Sequence, residues 1–276
     1  MSWRKKKKEM RKIKHKAILI ICLMFAVVIG LIILLTLRII KNNTGYYKID
    51  SRVEELNKEK PIENSGYKAV GWLKIQGTDI DLPIVHSEDQ YEEFPVQLES
   101  FVWSRTDVKK DNTYFDIVGH NIFNLSAKPK IKSDMFNRFE QLMAFAYYDF
   151  AKNNQYVQLT IDDEDYIYKI FAVSFIDKSL ATFFPTRGNP DESMIKNLIE
   201  IYENESLYKY DVDVNENDKI ISLSTCTRFY GADSNKDFYV VGRLLREDEN
   251  INHYKVAKNN NYKKVEKILK GDENNE

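Results

Sequence analysis

Of the two cysteines in this 276-residue chain, only Cys226 lies outside an apolar N-terminal segment. It ends the run Lys219-Ile-Ile-Ser-Leu-Ser-Thr-Cys226, whose apolar and β-branched residues read as a strand. Cys22 sits inside the apolar segment, so the two have no basis for a disulfide. A lone thiol outside a membrane has no structural bridge to make and is open to oxidation, which points to use of the thiol itself. A nucleophilic thiol needs a base or a cation beside it. The histidines are His15, His86, His120 and His253, and His120 ends a second apolar run, Ile117-Val-Gly-His-Asn121. Alone, His120 would be a turn residue held by hydrogen bonds, and His86, beside Ser87-Glu-Asp89, reads as a surface or groove residue. A Cys and a His at two strand ends together point to acyl transfer through a thioester.

Those strand ends belong to a chain of 43% hydrophobic and 30% charged residues, suited to one globular domain with appendages. Its net charge of −1 hides an asymmetry. Residues 1–41 hold eleven Lys/Arg against one acid, a net of +10, so the remainder, with 30 bases and 41 acids, carries −11. An acidic domain is a poor partner for nucleic acid, which needs clustered cations. Ala17 to Leu37 is almost wholly apolar, interrupted mildly by Gly30 and Thr36. About 20 such residues span a bilayer as a helix, and the basic flank keeps residues 1–16 in the cytoplasm. No small-x-small cleavage site follows at Leu37-Arg-Ile-Ile-Lys41, and no small residue precedes Cys22 as a lipoprotein signal would need. The expectation is an uncleaved single-pass anchor over 17–37, a stalk or short helix over 38–66, and an extracellular domain.

From Tyr67 the pattern changes to strands. Ala69–Ile75 and Leu82–His86 flank the turn Gly77-Thr-Asp79, and Thr113–Val118 leads into His120. Tyr156–Ile161 and Tyr166–Ile176 surround the acidic turn Asp162-Asp-Glu-Asp165; Lys219–Cys226 and Phe238–Leu245 follow. Short aromatic and β-branched runs between polar turns predict a mostly β barrel or sandwich with added helices. One helix is predicted over Met135–Met143. Another starts at Asn189-Pro-Asp-Glu-Ser, with Asn189 as cap and Met194, Ile195, Leu198, Ile199 and Tyr202 on one apolar face. The polar tail 247–276 is expected to be disordered, with a short helix near Val265–Lys270 as the alternative.

These pieces resemble the sortase family, class B within it. Gly71-Trp-Leu-Lys-Ile75 with Leu82-Pro-Ile-Val85 is similar to its opening hairpin, Val118-Gly-His-Asn121 to its histidine motif, and Leu223-Ser-Thr-Cys-Thr227 to its cysteine motif. The helix after Pro190 resembles the extra helix of class B. The resemblance covers residues 67–246 and implies an eight-stranded β-barrel-like fold. It also implies a cysteine transpeptidase that cleaves the C-terminal sorting signal of a surface protein and joins the new end to an amine, of cell wall or pilin. No cofactor or metal is expected. The implied catalytic residues are Cys226 as nucleophile and His120 as acid and base.

The resemblance breaks at a third residue. The family's arginine at the start of the last strand falls on Asp237, preceded by Lys236, and the wrong charge stands where an oxyanion needs a donor. Arg228, two residues after the cysteine, is the cation chosen for that role, with Lys236 and a Cys-His-Asp arrangement through Asp237 as alternatives. Arg243, about 20 Å along the strand, is too distant. Two other functions stay open: hydrolysis of cell-wall peptide by the same dyad, and a non-catalytic scaffold that binds sorting signals or pilin-like partners.

Overall fold

The computed structural model describes residues 69–86, 101–121, 124–125, 128–129, 138–185 and 188–271, with Trp3, Ile18, Met24, Phe25 and residues 28–33 nearer the N-terminus. The chain divides into two compact units, Met1–Ser51 and Arg52–Glu276. In the first, the described residues are helical and Met24, Phe25, Leu31 and Ile32 are exposed. No helix of the described residues is long and apolar enough to cross a membrane. The expected span over 17–37 falls largely outside the described residues, and the stalk over 38–66 wholly so.

The second unit is built on a closed barrel. Its strands are β1 (Ala69–Ile75), β2 (Asp81–His86), β3 (Val102–Ser104), β4 (Tyr114–Val118), β5 (Tyr156–Ile161), β6 (Glu164–Asp177), β8 (Ile220–Cys226) and β9 (Lys236–Leu244). Around the barrel they run β1-β2-β3-β4-β8-β9-β6-β5, which leaves no free sheet edge. Two pairings, β2 with β3 and β4 with β8, are parallel. Strict alternation buries Val157, Leu159 and Ile161 of β5 inward, as a strand with one wet face should. The acidic hairpin turn is tighter than four residues. Asp162 and Asp163 take left-handed φ of 49° and 61°, and Glu164 already pairs with Ile161. Two positive φ values in a two-residue loop match the right-handed twist of the flanking strands.

The β4–β8 seam is buried on both faces: all of Tyr114–Val118, and β8 as far as Thr225. Phe115, Ile117, Ile221 and Leu223 face the barrel core. Tyr114 and Ile220 meet α2 (Glu192–Glu205) outside, through Ile195, Leu198, Ile199 and Tyr202. A parallel pair covered on both sides must be nearly continuously apolar, which is how both motifs read. The helix starts later than predicted. Asp191 is the cap, accepting the Met194 N–H at 2.8 Å, whereas Asn189 accepts from Thr113 N–H at 3.1 Å. Asn189 thus ties the helix approach to the start of β4 and is not free to cap.

Two further expectations are corrected. The segment predicted as a helix over Met135–Met143 is a 3-10 helix at Arg138–Ala146, with residues 135–137 outside the described set. Leu142 to Ala146 are five consecutive buried residues, which a one-sided α-helical stripe does not allow. A short α1 (Tyr148–Asn153) follows it. The tail is ordered over its described residues, 247–271, where disorder was expected. β10 (Val256–Lys258) pairs with β7 (Tyr208–Tyr210), and α3 (Tyr262–Lys270) buries Tyr262, Val265 and Ile268 in the main core. Gly271, left-handed at φ 79°, ends that helix.

Candidate active site

The parallel register brings the two motif residues to one end of the seam. Val118 stands opposite Ser224, and two residues further along each strand come His120 and Cys226. The chains stay stitched beyond the last pair. Gly119 N–H donates to Ser224 O at 3.3 Å, and the Thr225 hydroxyl donates to Gly119 O at 2.7 Å. Asn121 Nδ2 donates to Cys226 O at 3.0 Å, while Cys226 Sγ lies 3.4 Å from Asn121 O as donor. His120 is therefore held between two residues that are both bound to the cysteine strand. A Cβ at Gly119 would come within 2.2 Å of the Phe139 ring, so this position accepts only glycine without a shift of the ring. The His120 ring lies 4.8 Å from that of Trp103, tilted by 52°. Trp103 packs with Val85, Phe101 and Val118 in a small cluster separate from the barrel core, which puts His120 on the outer face.

The other flank of Cys226 belongs to β9. Cys226 pairs directly with Asp237, the position where the resemblance implies an arginine. Across β9, Asp237 also pairs with Ile176 of β6, and Lys178 Nζ reaches the Asp237 carboxylate at 3.4 Å. Burial pushes the Cys226 thiol above its ordinary value; Asp237 adds to the rise and Lys178 opposes it. Burial likewise raises the Asp237 carboxyl, against the pull of Lys178 and of Arg105. Arg105 follows β3, with its guanidinium 3.6 Å from the buried Asp116 carboxylate on β4.

Of the other cations named from sequence, Lys236 and Arg243 make their contacts away from this row. Arg228 is exposed, its amide donating to Leu125 O at 3.1 Å. Lys236 donates to Phe175 O at 3.3 Å, and as the neighbour of Asp237 on a strand it points to the opposite face of the sheet. Arg243 is 1% exposed, bound by both terminal nitrogens to Glu249 and by Nε to Asp213 O. His86, partly buried at the end of β2, lies between Ser104 O at 3.0 Å and Asp107 at 3.2 Å. Sequence reasoning missed Asn121 as a clamp, although it stands inside the histidine motif. Lys178 had no signal at all, since only the β6–β9 register places it beside Asp237.

A thiol at a strand end, an imidazole on one flank and an acid–ammonium pair on the other can carry acyl transfer through a thioester. The family model described as the Sortase domain matches residues 73–245. Sortase B of Staphylococcus aureus is 20% identical over 197 residues, covering 67% of this chain and 73% of that one. Sortase B of Listeria monocytogenes is 24% identical over 223 residues, covering 75% and 81%. The crystal structure of Clostridium perfringens sortase B superposes with a TM-score of 0.53 at 26% identity, covering 68% of this chain and all of that one. The matched segment runs from inside β1 to one residue past β9 and so includes both seam motifs and all of the barrel but the first four residues of β1: the chain belongs to the sortase family of cysteine transpeptidases and is of the class B type.

Proposed function

We propose that this sortase is a single-pass membrane enzyme that cleaves a C-terminal sorting signal on a secreted surface protein and transfers the new carboxyl end to an amine. The observation that carries the reading is the stitched seam, which fixes His120 and Cys226 side by side at the one end of β8 left exposed. The Cys226 thiolate attacks the scissile carbonyl; a C–S bond forms and the carbonyl π pair moves to oxygen. When the pair returns, the C–N bond breaks and the His120 imidazolium protonates the departing amine. Neutral His120 then takes a proton from the incoming amine, whose nitrogen forms the new C–N bond as the C–S bond breaks and the Cys226 thiolate leaves. The acceptor is an amine of a cell-wall precursor or a pilin lysine. From sequence the cation for the oxyanion is Arg228, exposed just past the nucleophile; the ammonium of Lys178, beside Asp237, competes for that role, and kcat of Arg228→Ala against Lys178→Ala decides between them. Anchoring by residues 17–37, with residues 1–16 cytoplasmic, is supported by the apolar run and its basic flank.

The test offers a library of sorting-signal peptides to the soluble domain and looks by mass for an acyl adduct on Cys226. An adduct that added amine discharges, with label transferred to the amine, supports transpeptidation. Discharge to water alone makes the protein a hydrolase of peptides. Wild-type turnover by folded Cys226→Ala protein overturns the reading. Protease added to wall-stripped cells should remove the domain, and full protection would reverse the topology. The acid opposite the nucleophile favours one other reading, a scaffold that binds signals without cleaving them. A scaffold yields no acyl adduct with any peptide.

A further inference from the structure

The cation missing from β9 has a structural replacement just past the end of the neighbouring strand, β6. Building on the transpeptidase reading, we propose that Lys178 faces the oxyanion formed on Cys226, with Asp237 holding its ammonium in place. Asp237 is the hydrogen-bonded neighbour of both Cys226 and Ile176. Paired Cα atoms in an antiparallel ladder lie only ~4.5–5.5 Å apart with side chains on one face, so the carboxylate stands beside the sulfur. Lys178, two residues beyond Ile176, returns to that same face, and its N–H donates to Asn235 O at 2.8 Å, one step further along the ladder. Its Nζ lies 3.4 Å from the carboxylate. Thiol, carboxylate and ammonium thus form one line from β8 across β9 to the residue just past β6.

Direction supports the assignment. β4 and β9 lie on opposite sides of β8, so His120 and Asp237 flank Cys226 from opposite sides. The substituents of a tetrahedral carbon diverge: with the leaving amine turned to His120, the oxygen that takes up the π pair turns toward β9. A bare carboxylate there would repel it, whereas a carboxylate neutralised by an ammonium on a flexible stem does not. The Lys178 side chain is half exposed, at 50%, and so is free to swing from Asp237 to the oxyanion. Lys236 faces the other side of the sheet, Arg243 is enclosed by Glu249, and Arg105 is tied to Asp116 lower on the same face. Lys178 donates hydrogen bonds and keeps its proton throughout, so proton balance between thiol, His120 and the two amines is unchanged.

The experiment compares wild type, Lys178→Ala, Asp237→Arg and the double variant Lys178→Ala/Asp237→Arg. Two readouts are taken: the pH profile of Cys226 alkylation by iodoacetamide, and kcat and KM with the peptide and amine that label the wild type. Lys178→Ala should move the alkylation midpoint up and lower kcat about a hundredfold, the usual loss for one oxyanion donor, with KM little changed. The double variant, which puts a guanidinium directly opposite the nucleophile, should recover most of kcat. Lys178→Ala with an unchanged midpoint and kcat overturns the proposal, as does a folded double variant no faster than Lys178→Ala. Should the wild type form no acyl-enzyme, the transpeptidase reading falls separately. The alkylation profile still decides whether Lys178 acts on the thiol.

Discussion

Strand β9 carries an ion pair at each end, and the two are built for different work. At one end Arg243 is enclosed: Glu249 takes both terminal nitrogens, Asp213 O accepts from Nε, and Lys169 closes the far side of Glu249 at 3.0 Å. At the other end Asp237 has, among the described residues, only the half-exposed Lys178 within ion-pair reach, at 3.4 Å, and the nucleophile stands opposite. A buried guanidinium with its donors matched to acceptors resists movement, because any displacement leaves a charge unpaired in low dielectric. A long, single exposed pair is weak and easily exchanged. The same strand therefore anchors one end of the barrel rigidly and leaves a mobile charge at the other, beside the thiol.

The largest expected effect breaks the rigid end. Arg243→Ala should cost about 3 kcal/mol or more of stability, because it empties the space of a side chain only 1% exposed and leaves Glu249 to Lys169 and the Arg246 amide. Lys178→Ala should cost ~1 kcal/mol or less. Denaturant unfolding of both variants checks the contrast; similar losses would mean that Lys178–Asp237 is a structural pair like the other.

A smaller effect tests the other side of the nucleophile. Gly119→Ala forces the Phe139 ring, 2.2 Å from the added Cβ, to move, and overpacking of this kind costs roughly 1–3 kcal/mol. Because Gly119 is bonded to both Ser224 and Thr225, kcat should fall more than stability alone explains. Unchanged kcat in the folded variant would show that His120 is placed independently of the seam.

How much of this was readable beforehand follows from where each interaction lies in the chain. The hairpin β5–β6, the runs ending at His120 and Cys226, and the buried face of α2 are local patterns of period 2 or 3.6, so the sequence displays them. The facing of Asp237 and Cys226 was legible once β8 and β9 were placed as neighbours. Lys178 was not, because its role depends on the register of a third strand. Nor was the ordered tail, whose Asn- and Lys-rich composition conceals the three buried positions Tyr262, Val265 and Ile268. The choice of Arg228 rested on nearness in sequence, and a turn after β8 makes that a poor guide to direction.

Acid should separate the two ends by sign. Arg243 holds the Glu249 carboxyl far below the usual carboxylate range, with Lys169 and the Arg246 amide assisting against burial. The unfolded chain then binds the proton more readily. This contribution to stability is complete above the ordinary Glu value of about 4.3 and fades as pH falls below it. Asp237 runs the other way. Its carboxyl is raised, chiefly by burial, so its contribution is present at low pH and is lost as pH rises through the raised value. Denaturant midpoints between pH 3 and 7 should lose their acid-side fall in Arg243→Ala. In Asp237→Asn they should instead lose a decline on the rising side.

The smallest and sharpest change is Asp237→Asn measured at the thiol. Asparagine keeps the shape of the side chain and removes the charge that adds to the rise of the Cys226 thiol, so the alkylation midpoint should move down. More thiolate at neutral pH would by itself raise the rate. If the carboxylate serves to hold the Lys178 ammonium, however, its loss frees the lysine into solvent, and kcat should fall despite the better nucleophile. The fall should stay within about fivefold, the equivalent of the ~1 kcal/mol that one exposed pair contributes. A midpoint that drops while kcat also drops separates holding from repulsion, since repulsion alone predicts opposite movements. If kcat rises with the thiolate fraction, Asp237 is only a brake on Cys226, and Lys178 reaches the oxyanion without it.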